Sequence, residues 1–146
     1  MRLTVIAWDI YSSMIARAAC EIGGIDLDLY SSRNVDSSPD IFEKAAESLE
    51  QADVILLYRT GESFWNELDA RFTELAGKKP LVCLASDPSL WGMSSIPVDR
   101  VSLCYDYLVY GGIDNFTNLL RYLAHINDDS QEIPPAPEPL PWQGIY

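Results

Sequence analysis

The side chains best suited to chemistry fall in two short stretches. Asp9-Ile10-Tyr11-Ser12-Ser13 follows one apolar run, and Arg59-Thr60-Gly61-Glu62 follows another. The first supplies a carboxylate, a phenol and two hydroxyls; the second supplies a guanidinium and a hydroxyl. Together they could hydrogen-bond a small polar molecule and, through Arg59, pair with an acid. The candidate ligand-binding residues are therefore Asp9, Tyr11, Ser12, Ser13, Arg59 and Thr60, with Ser86, Asp87 and Trp91 able to overhang them. Ser12-Ser13 at a helix start could also hold one anionic group. Each residue has a plainer reading beside this one. Asp9 with Ser12-Ser13 reads as helix capping, Arg59 as an ion-paired surface arginine, and Trp8 and Tyr58 as core residues with a polar handle.

Better-known chemistries do not fit. A dinucleotide site wants Gly-x-Gly-x-x-Gly after the first strand, where this chain has Asp9-Ile10-Tyr11-Ser12-Ser13. A Walker phosphate loop fails for the same lack of glycine, and a Thr/Gly-rich flavin loop is missing. A phospho-acceptor receiver would need an acid at the end of the third strand, which holds Tyr58-Arg59. With His125 the single histidine, a Ser-His-Asp set or an Asp-x-His-x-x-Gly cobalamin module cannot be assembled. His125 suits a helix face beside Tyr122. Cys20, Cys83 and Cys104 are far apart in the sequence, and no Cys-x-x-Cys occurs, so neither a zinc site nor a disulfide framework is expected. No catalytic residues and no metal ligands are assigned.

Charge narrows the partners. Lys and Arg number 10 against 22 Asp and Glu, a formal net charge of −12. Such a chain repels phosphate backbones and anionic lipid, so neither nucleic acid nor a membrane surface is an expected partner. Hydrophobic residues at 48 % are enough for a core. No apolar run approaches the roughly 20 residues of a membrane span. Reduced thiols and no visible export signal point to the cytoplasm.

The elements that must position these residues alternate in period. Leu3–Trp8 reads as a buried strand, followed by a helix carrying Met14, Ile15, Ala18, Ala19 and Ile22, with Ser12 or Ser13 as its N-cap and Gly23-Gly24 as its stop. Residues 25–30 alternate Asp26 and Asp28 with Ile25, Leu27 and Leu29, the pattern of an edge strand with a wet face. Pro39 opens a second helix, residues 53–58 form a central strand, Phe64 to Ala76 a third helix, and residues 80–85 a fourth strand. This β-α-β-α-β-α-β order predicts a three-layer α/β fold: a parallel sheet of flavodoxin-like order 2-1-3-4 with helices on both faces. Its switch point, between strands one and three, is where the candidate residues gather. Residues 86–92 have loop chemistry. Residues 98–110 fit helix or strand, with helix favoured, and Asp114 caps a last helix carrying Phe116, Leu119, Leu120, Leu123 and Ile126.

The composition changes at Asp128. Residues 128–146 hold five of the nine prolines, four acids and no base, which predicts an extended, proline-rich strap or linker after an α/β domain of residues 1–127. Trp142, Ile145 and Tyr146 are apolar enough to hold that strap on the globular body, with Trp142 or Tyr146 packed against it. A chain stopping on such a segment reads as cut from a longer one, with a following domain missing.

Tyr107-Leu108-Val109-Tyr110-Gly111-Gly112, then Asp114-Asn115-Phe116-Thr117-Asn118-Leu119-Leu120-Arg121-Tyr122-Leu123, and finally Pro141-Trp142-Gln143-Gly144-Ile145-Tyr146 form a distinctive series. The series resembles the N-terminal region of the cobaltochelatase large subunit (CobN) family, whose chlorophyll-pathway relative is the magnesium-chelatase H subunit. The resemblance implies the leading domain of a long ligase subunit that inserts Co²⁺ or Mg²⁺ into a tetrapyrrole in cobalamin-type biosynthesis. It further implies that ATP and Mg²⁺ are handled by AAA+-type partner subunits, that the metal-insertion residues lie in later domains, and that this domain serves assembly or substrate enclosure without a cofactor or catalytic centre of its own. Its partners would be those later domains, the AAA+ subunits and the tetrapyrrole. Trp8, Tyr11, Tyr58, Trp65 and Trp91 could offer stacking surface to such a ring. The alternative is a stand-alone flavodoxin-like small-molecule binder, or a structural interaction module with Trp91 and Trp142 exposed.

Overall fold

The structure, a computed structural model, describes residues 1–139. Its elements are β1 (Arg2–Ala7), α1 (Asp9–Ile22), β2 (Asp26–Ser31), α2 (Ser32–Ser37), α3 (Pro39–Gln51), β3 (Val54–Arg59), α4 (Phe64–Ala76), β4 (Leu81–Ala85), a 3-10 turn at Pro88–Met93, α5 (Val98–Tyr110) and α6 (Gly112–Asn127). All strand pairs are parallel and the order is β2-β1-β3-β4, a flavodoxin-like α/β fold. Parallel neighbours need crossover helices, and helices on both faces bury the sheet twice.

The pleat divides the core. Leu3, Val5 and Ala7 of β1, Val54, Leu56 and Tyr58 of β3, and Val82 and Leu84 of β4 face α1, α5 and α6. Ile6, Ile55, Leu57, Leu81 and Cys83 face the opposite layer of α3 and α4. Thr4 also faces α3, where its hydroxyl meets Ser48 Oγ at 2.7 Å, and Ser48 donates to Asp28 of β2 at 2.7 Å. That chain satisfies the polar groups buried between β1, β2 and α3. At the C-terminus of α3, Lys79 Nζ donates to the carbonyls of Leu49, Glu50 and Ala52 at 3.2, 2.9 and 2.7 Å, a cation on the negative end of the helix dipole.

The two sheet edges differ. Beside β4, Ser94 and Ser95 take the place of a fifth strand: Ser94 Oγ accepts from Cys83 N–H at 2.8 Å and Ser95 Oγ from Leu81 N–H at 2.7 Å. β2 is only half-buried, as its alternating sequence predicts.

Three local expectations are corrected. Helix α1 begins at Asp9, with Trp8 as N-cap, so Ser12 and Ser13 lie inside the helix and cap nothing. Asp9, carrying negative charge in the first turn, suits the dipole there without any serine. Likewise α6 begins at Gly112, leaving Asp114 in its first turn; the capping position is Gly111. Gly111 has φ 71 and ψ −172, a backbone region that strongly favours glycine. Helix α2 was not expected at all. Ser31 Oγ caps it by accepting from Asn34 N–H at 3.1 Å, and Val35 ties it to the core. Residues 98–110 are helical, and the loop after β4 contains a 3-10 turn.

Beyond α6 the chain reverses and runs back along α5 and α6. His125 Nδ1 meets the Gln131 carbonyl at 2.8 Å, the Tyr107 hydroxyl donates to the Pro135 carbonyl, and Asn115 bonds the backbone of Glu138. The strap is thus fastened through its backbone. The expected packing of Trp142, Ile145 and Tyr146 lies outside the described residues. Among the described residues no helix is long and apolar enough to cross a membrane.

Candidate functional site

The carboxyl ends of β1, β3 and β4 open on a cleft of about 560 Å³ lined by Trp8, Tyr58, Arg59, Thr60, Glu62, Asp87 and Leu90, among others. This is the end of an open α/β sheet where ligands bind. Of the six candidate residues, Arg59 and Thr60 line the cleft.

Both are engaged internally. Arg59 Nη1 and Nη2 reach the two oxygens of Asp69 on α4 at 2.5 and 3.1 Å, and Nη2 also reaches Asn66 Oδ1 at 3.3 Å. The guanidinium lies over the Trp65 ring, 5.9 Å from its centroid. The side chain of Arg59 is 11 % exposed and that of Asp69 39 %, so the arginine is the more enclosed partner of a fork-on-fork pair. Hydrogen bonding to Asp69 pushes the Arg59 pKa above its ordinary value, against the opposing effect of burial. Thr60 donates to Glu62 Oε1, which also accepts from Trp65 Nε1 at 3.1 Å. Asp87 lies on the far wall, its carboxyl held below the usual range by the Ser89 N–H. The cleft therefore presents acids at its rim and keeps its one guanidinium in an ion pair, which disfavours a polyanionic ligand.

Asp9 and Ser12 belong to a second cluster, toward β2. The parallel register pairs Ala7 with Ser31, so Ser32 at the start of α2 is brought beside the start of α1. Arg33 Nη2 reaches Asp9 Oδ2 at 3.4 Å across the two helix starts. Asp9 Oδ1, Ser12 Oγ and Ser32 Oγ are buried and have no hydrogen-bond partner among the described residues. A buried oxygen left unbonded costs about 1–3 kcal/mol, so this cluster carries most of the unmet hydrogen-bonding capacity of the region. Ser32 and Arg33 were not among the sequence candidates. The available signal was their position directly after a strand that pairs in register with β1.

Tyr11 stands between the two regions as packing. Its ring meets Tyr58 edge-on at 5.2 Å and Phe116 of α6 at 6.2 Å, and burial, then Tyr58, pushes its phenol up to about 12. Ser13 is exposed and lines neither region. Of the aromatic residues considered for stacking, Trp65 and Tyr58 are buried, and Trp91 packs on Tyr105 while donating to the Ala85 carbonyl at 2.9 Å. Trp8, 46 % exposed, is the aromatic face the cleft offers.

No family model matches the chain. It is 28 % identical over 150 residues to an uncharacterized protein of Methanocaldococcus jannaschii, an alignment covering 100 % of this chain and 10 % of that protein. It also matches the solved structure of the catalytic subunit of cobaltochelatase from Mycobacterium tuberculosis, with TM-score 0.69 and 16 % identity, over 96 % of this chain and 11 % of that one. The chain thus spans about a tenth of the length of each. The structural likeness shows a shared fold.

Proposed function

We propose that this chain is the leading, flavodoxin-like domain of a CobN-like large chelatase subunit and serves assembly or enclosure of the tetrapyrrole, with metal insertion carried out elsewhere in the complex. The observation that carries the reading is the fold match to the cobaltochelatase catalytic subunit, running over 96 % of this chain within a small part of a much longer one. The motif Tyr107…Gly111-Gly112…Asn115 supports it by a separate route, because those residues turn the chain from α5 into α6 and hold the strap. The acid-rimmed cleft favours enclosure or assembly over tight binding of a carboxylate-edged ring by this domain alone. In this reading ATP and Mg²⁺ are used by AAA+-type partners and the work is cytoplasmic.

The test is reconstitution. The full reading frame, purified with its candidate AAA+ partners, should insert Co²⁺ or Mg²⁺ into a metal-free tetrapyrrole in an ATP-dependent manner, and deletion of residues 1–139 should weaken complex assembly or raise the KM for the tetrapyrrole. A full-length product that inserts no metal with any partner set would sink the proposal.

A second reading, a small-molecule site at the α1 and α2 starts, is favoured by the unpartnered oxygens of Asp9, Ser12 and Ser32. Absorbance and calorimetric titration with flavin, nucleotide and tetrapyrrole separates it from the first: a ligand lost on Ser32→Val but unaffected by the partners would support it.

A further inference from the structure

The strap walls a groove on α6. Asp114, Thr117, Asn118, Arg121 and Ala124 recur at helical spacing along one face of that helix, apart from the core stripe of Phe116, Leu119 and Leu123. A cavity of about 730 Å³ lies between this face, Glu21 at the end of α1, and Pro135, Ala136 and Glu138 of the strap. A second cavity of about 590 Å³ lies toward the end of α6, against Gly23-Gly24 on one side and Gln131 and Glu132 on the other. Arg121 borders both, so the two are joined along the helix. From Asp114 to Asn127 the groove follows about 20 Å of α6 at roughly 1.5 Å per residue.

The groove is rich in acceptors. Glu21, Asp114 and Glu138 line the first cavity, and Asp53, Asp128 and Glu132 the second. Against these six acids, among the described residues, stand Arg121 and the Met1 ammonium, which donates to the Gly24 carbonyl at 3.1 Å. The strap adds few donors: Pro134, Pro135, Pro137 and Pro139 have no N–H, and the Glu138 N–H goes to Asn115 Oδ1 at 3.1 Å. One independent observation marks the floor of the first cavity. Thr117 is 7 % exposed and lines that cavity, and its buried Oγ1 has no hydrogen-bond partner among the described residues.

Charge and shape choose the occupant. A second copy, a nucleic acid or an anionic lipid is repelled by a chain of net charge −12. Guanidinium and ammonium groups carry donors and no acceptor, the complement of this lining. A groove of about 20 Å matches about six residues of extended chain at roughly 3.3 Å each.

We propose that the groove between α6 and the strap docks a short extended segment of a partner protein, rich in arginine or lysine, with a cationic head seated among Glu21, Asp114 and Glu138. This gives a partner chemistry to the assembly role proposed above and rests on that reading for the partner's place in the complex. Peptide binding and metal insertion are measured separately, so failure of one is told apart from failure of the other.

The experiment is an amide NMR titration of the whole chain with a blocked hexapeptide of alternating arginine and alanine. It is run in about 0.15 M salt, where screening over about 8 Å suppresses diffuse attraction to an acidic protein. The expected shifts concentrate in residues 111–121 and 131–138. Glu21→Gln/Asp114→Asn should raise the Kd about fivefold, as loss of two facing charges does at an interface. Thr117→Val, which replaces the unpartnered hydroxyl with a methyl, should keep the melting temperature and also weaken binding. Glu43→Gln/Glu67→Gln removes the same charge from α3 and α4, on the opposite layer, and should leave the Kd unchanged. Either groove variant binding like the unaltered protein overturns the proposal, as does an equal loss in the control pair. Spermine binding the groove as tightly as the peptide also overturns it, because the site would then take a free polyamine.

Discussion

Asn115 and Glu138 are joined by two hydrogen bonds through one carboxamide: Nδ2 donates to the Glu138 carbonyl at 2.7 Å, and Oδ1 accepts from the Glu138 N–H at 3.1 Å. The side chain pairs with the strap as a neighbouring peptide group would. The other Nδ2 proton goes to the Gly111 carbonyl at 2.8 Å, so one side chain ties the α5–α6 turn to the strap. An aspartate in that place has the same shape but no donors, and would face two carbonyl oxygens with a negative charge. Asn115→Asp should lower stability by about 1–3 kcal/mol. Urea unfolding measures that loss, and limited proteolysis should show faster cleavage between Asp128 and Pro139. Rapid cleavage there in the unaltered protein, with no change in melting temperature, would instead mark the strap as a free tail.

Arg59 acts as a clamp between β3 and α4. Arg59→Leu removes four hydrogen bonds, to Asp69, Asn66 and Met93 Sδ, and the cover over Trp65, and should cost about 1.5–3 kcal/mol. A double-mutant cycle with Asp69→Asn should return a coupling of about 0.5–3 kcal/mol. Ligand titration of the same variants separates the clamp from a binding role: a clamp changes stability and leaves affinities alone.

Lys79, half-buried, should be the most costly of the three lysines to replace. Its ammonium serves three carbonyls at the end of α3, and Lys79→Met should lose about 1–2 kcal/mol by chemical denaturation. Lys78→Met should leave the denaturation midpoint essentially unchanged, since the pair with Glu74 is an exposed, solvent-screened i,i+4 contact.

Alkali should unfold the protein by a defined route. Burial pushes the phenols of Tyr11 and Tyr107 up to about 12 from an ordinary value of 10.0, and the thiols of Cys83 and Cys104 up to about 11 and about 12 from 9.0. The folded state therefore holds these protons after the unfolded state has released them. Their contribution to stability is complete below pH 9, and declines as pH rises through 9 to 12. Melting temperature should be insensitive to these groups below pH 9 and fall steadily above it. Absorbance at 295 nm should show Tyr11 and Tyr107 among the phenols that ionise late, together with unfolding; Tyr107→Phe removes one of them and the strap bond with it.

Gly111 supplies a backbone test. At φ 71 and ψ −172, an alanine is strained although its Cβ would meet only the Val109 carbonyl at 4.0 Å, so Gly111→Ala should cost about 1–3 kcal/mol from conformation and not from crowding. A melting temperature unchanged in that variant would show that the turn can re-form.

The β-α alternation, the central place of β1 and β3, the wet edge at β2 and the helical residues 98–110 are legible without coordinates. Each rests on the period of apolar residues within a dozen neighbours, and the handedness of crossovers then leaves few sheet orders. The starts of α1 and α6 were less legible, because Ser12-Ser13 and Asp114 carry cap chemistry wherever the helix actually begins. Helix α2 hid behind turn-forming residues, since its one buried apolar side chain, Val35, meets a core the local sequence does not show.

The site divides along the same line. That Asp9, Ser12, Arg59 and Thr60 stand near strand ends follows from strand order. Whether each is open to a ligand depends on partners the fold brings in from elsewhere: Asp69 is 10 residues from Arg59, and Glu138 is 23 from Asn115. Ser32 joins Asp9 because β1 and β2 pair in a particular register. Periodicity is a property of consecutive residues and survives in a one-dimensional string. Hydrogen-bond and ion-pair partners are set by distances of about 3 Å between chain segments, and those exist only once the layers have packed.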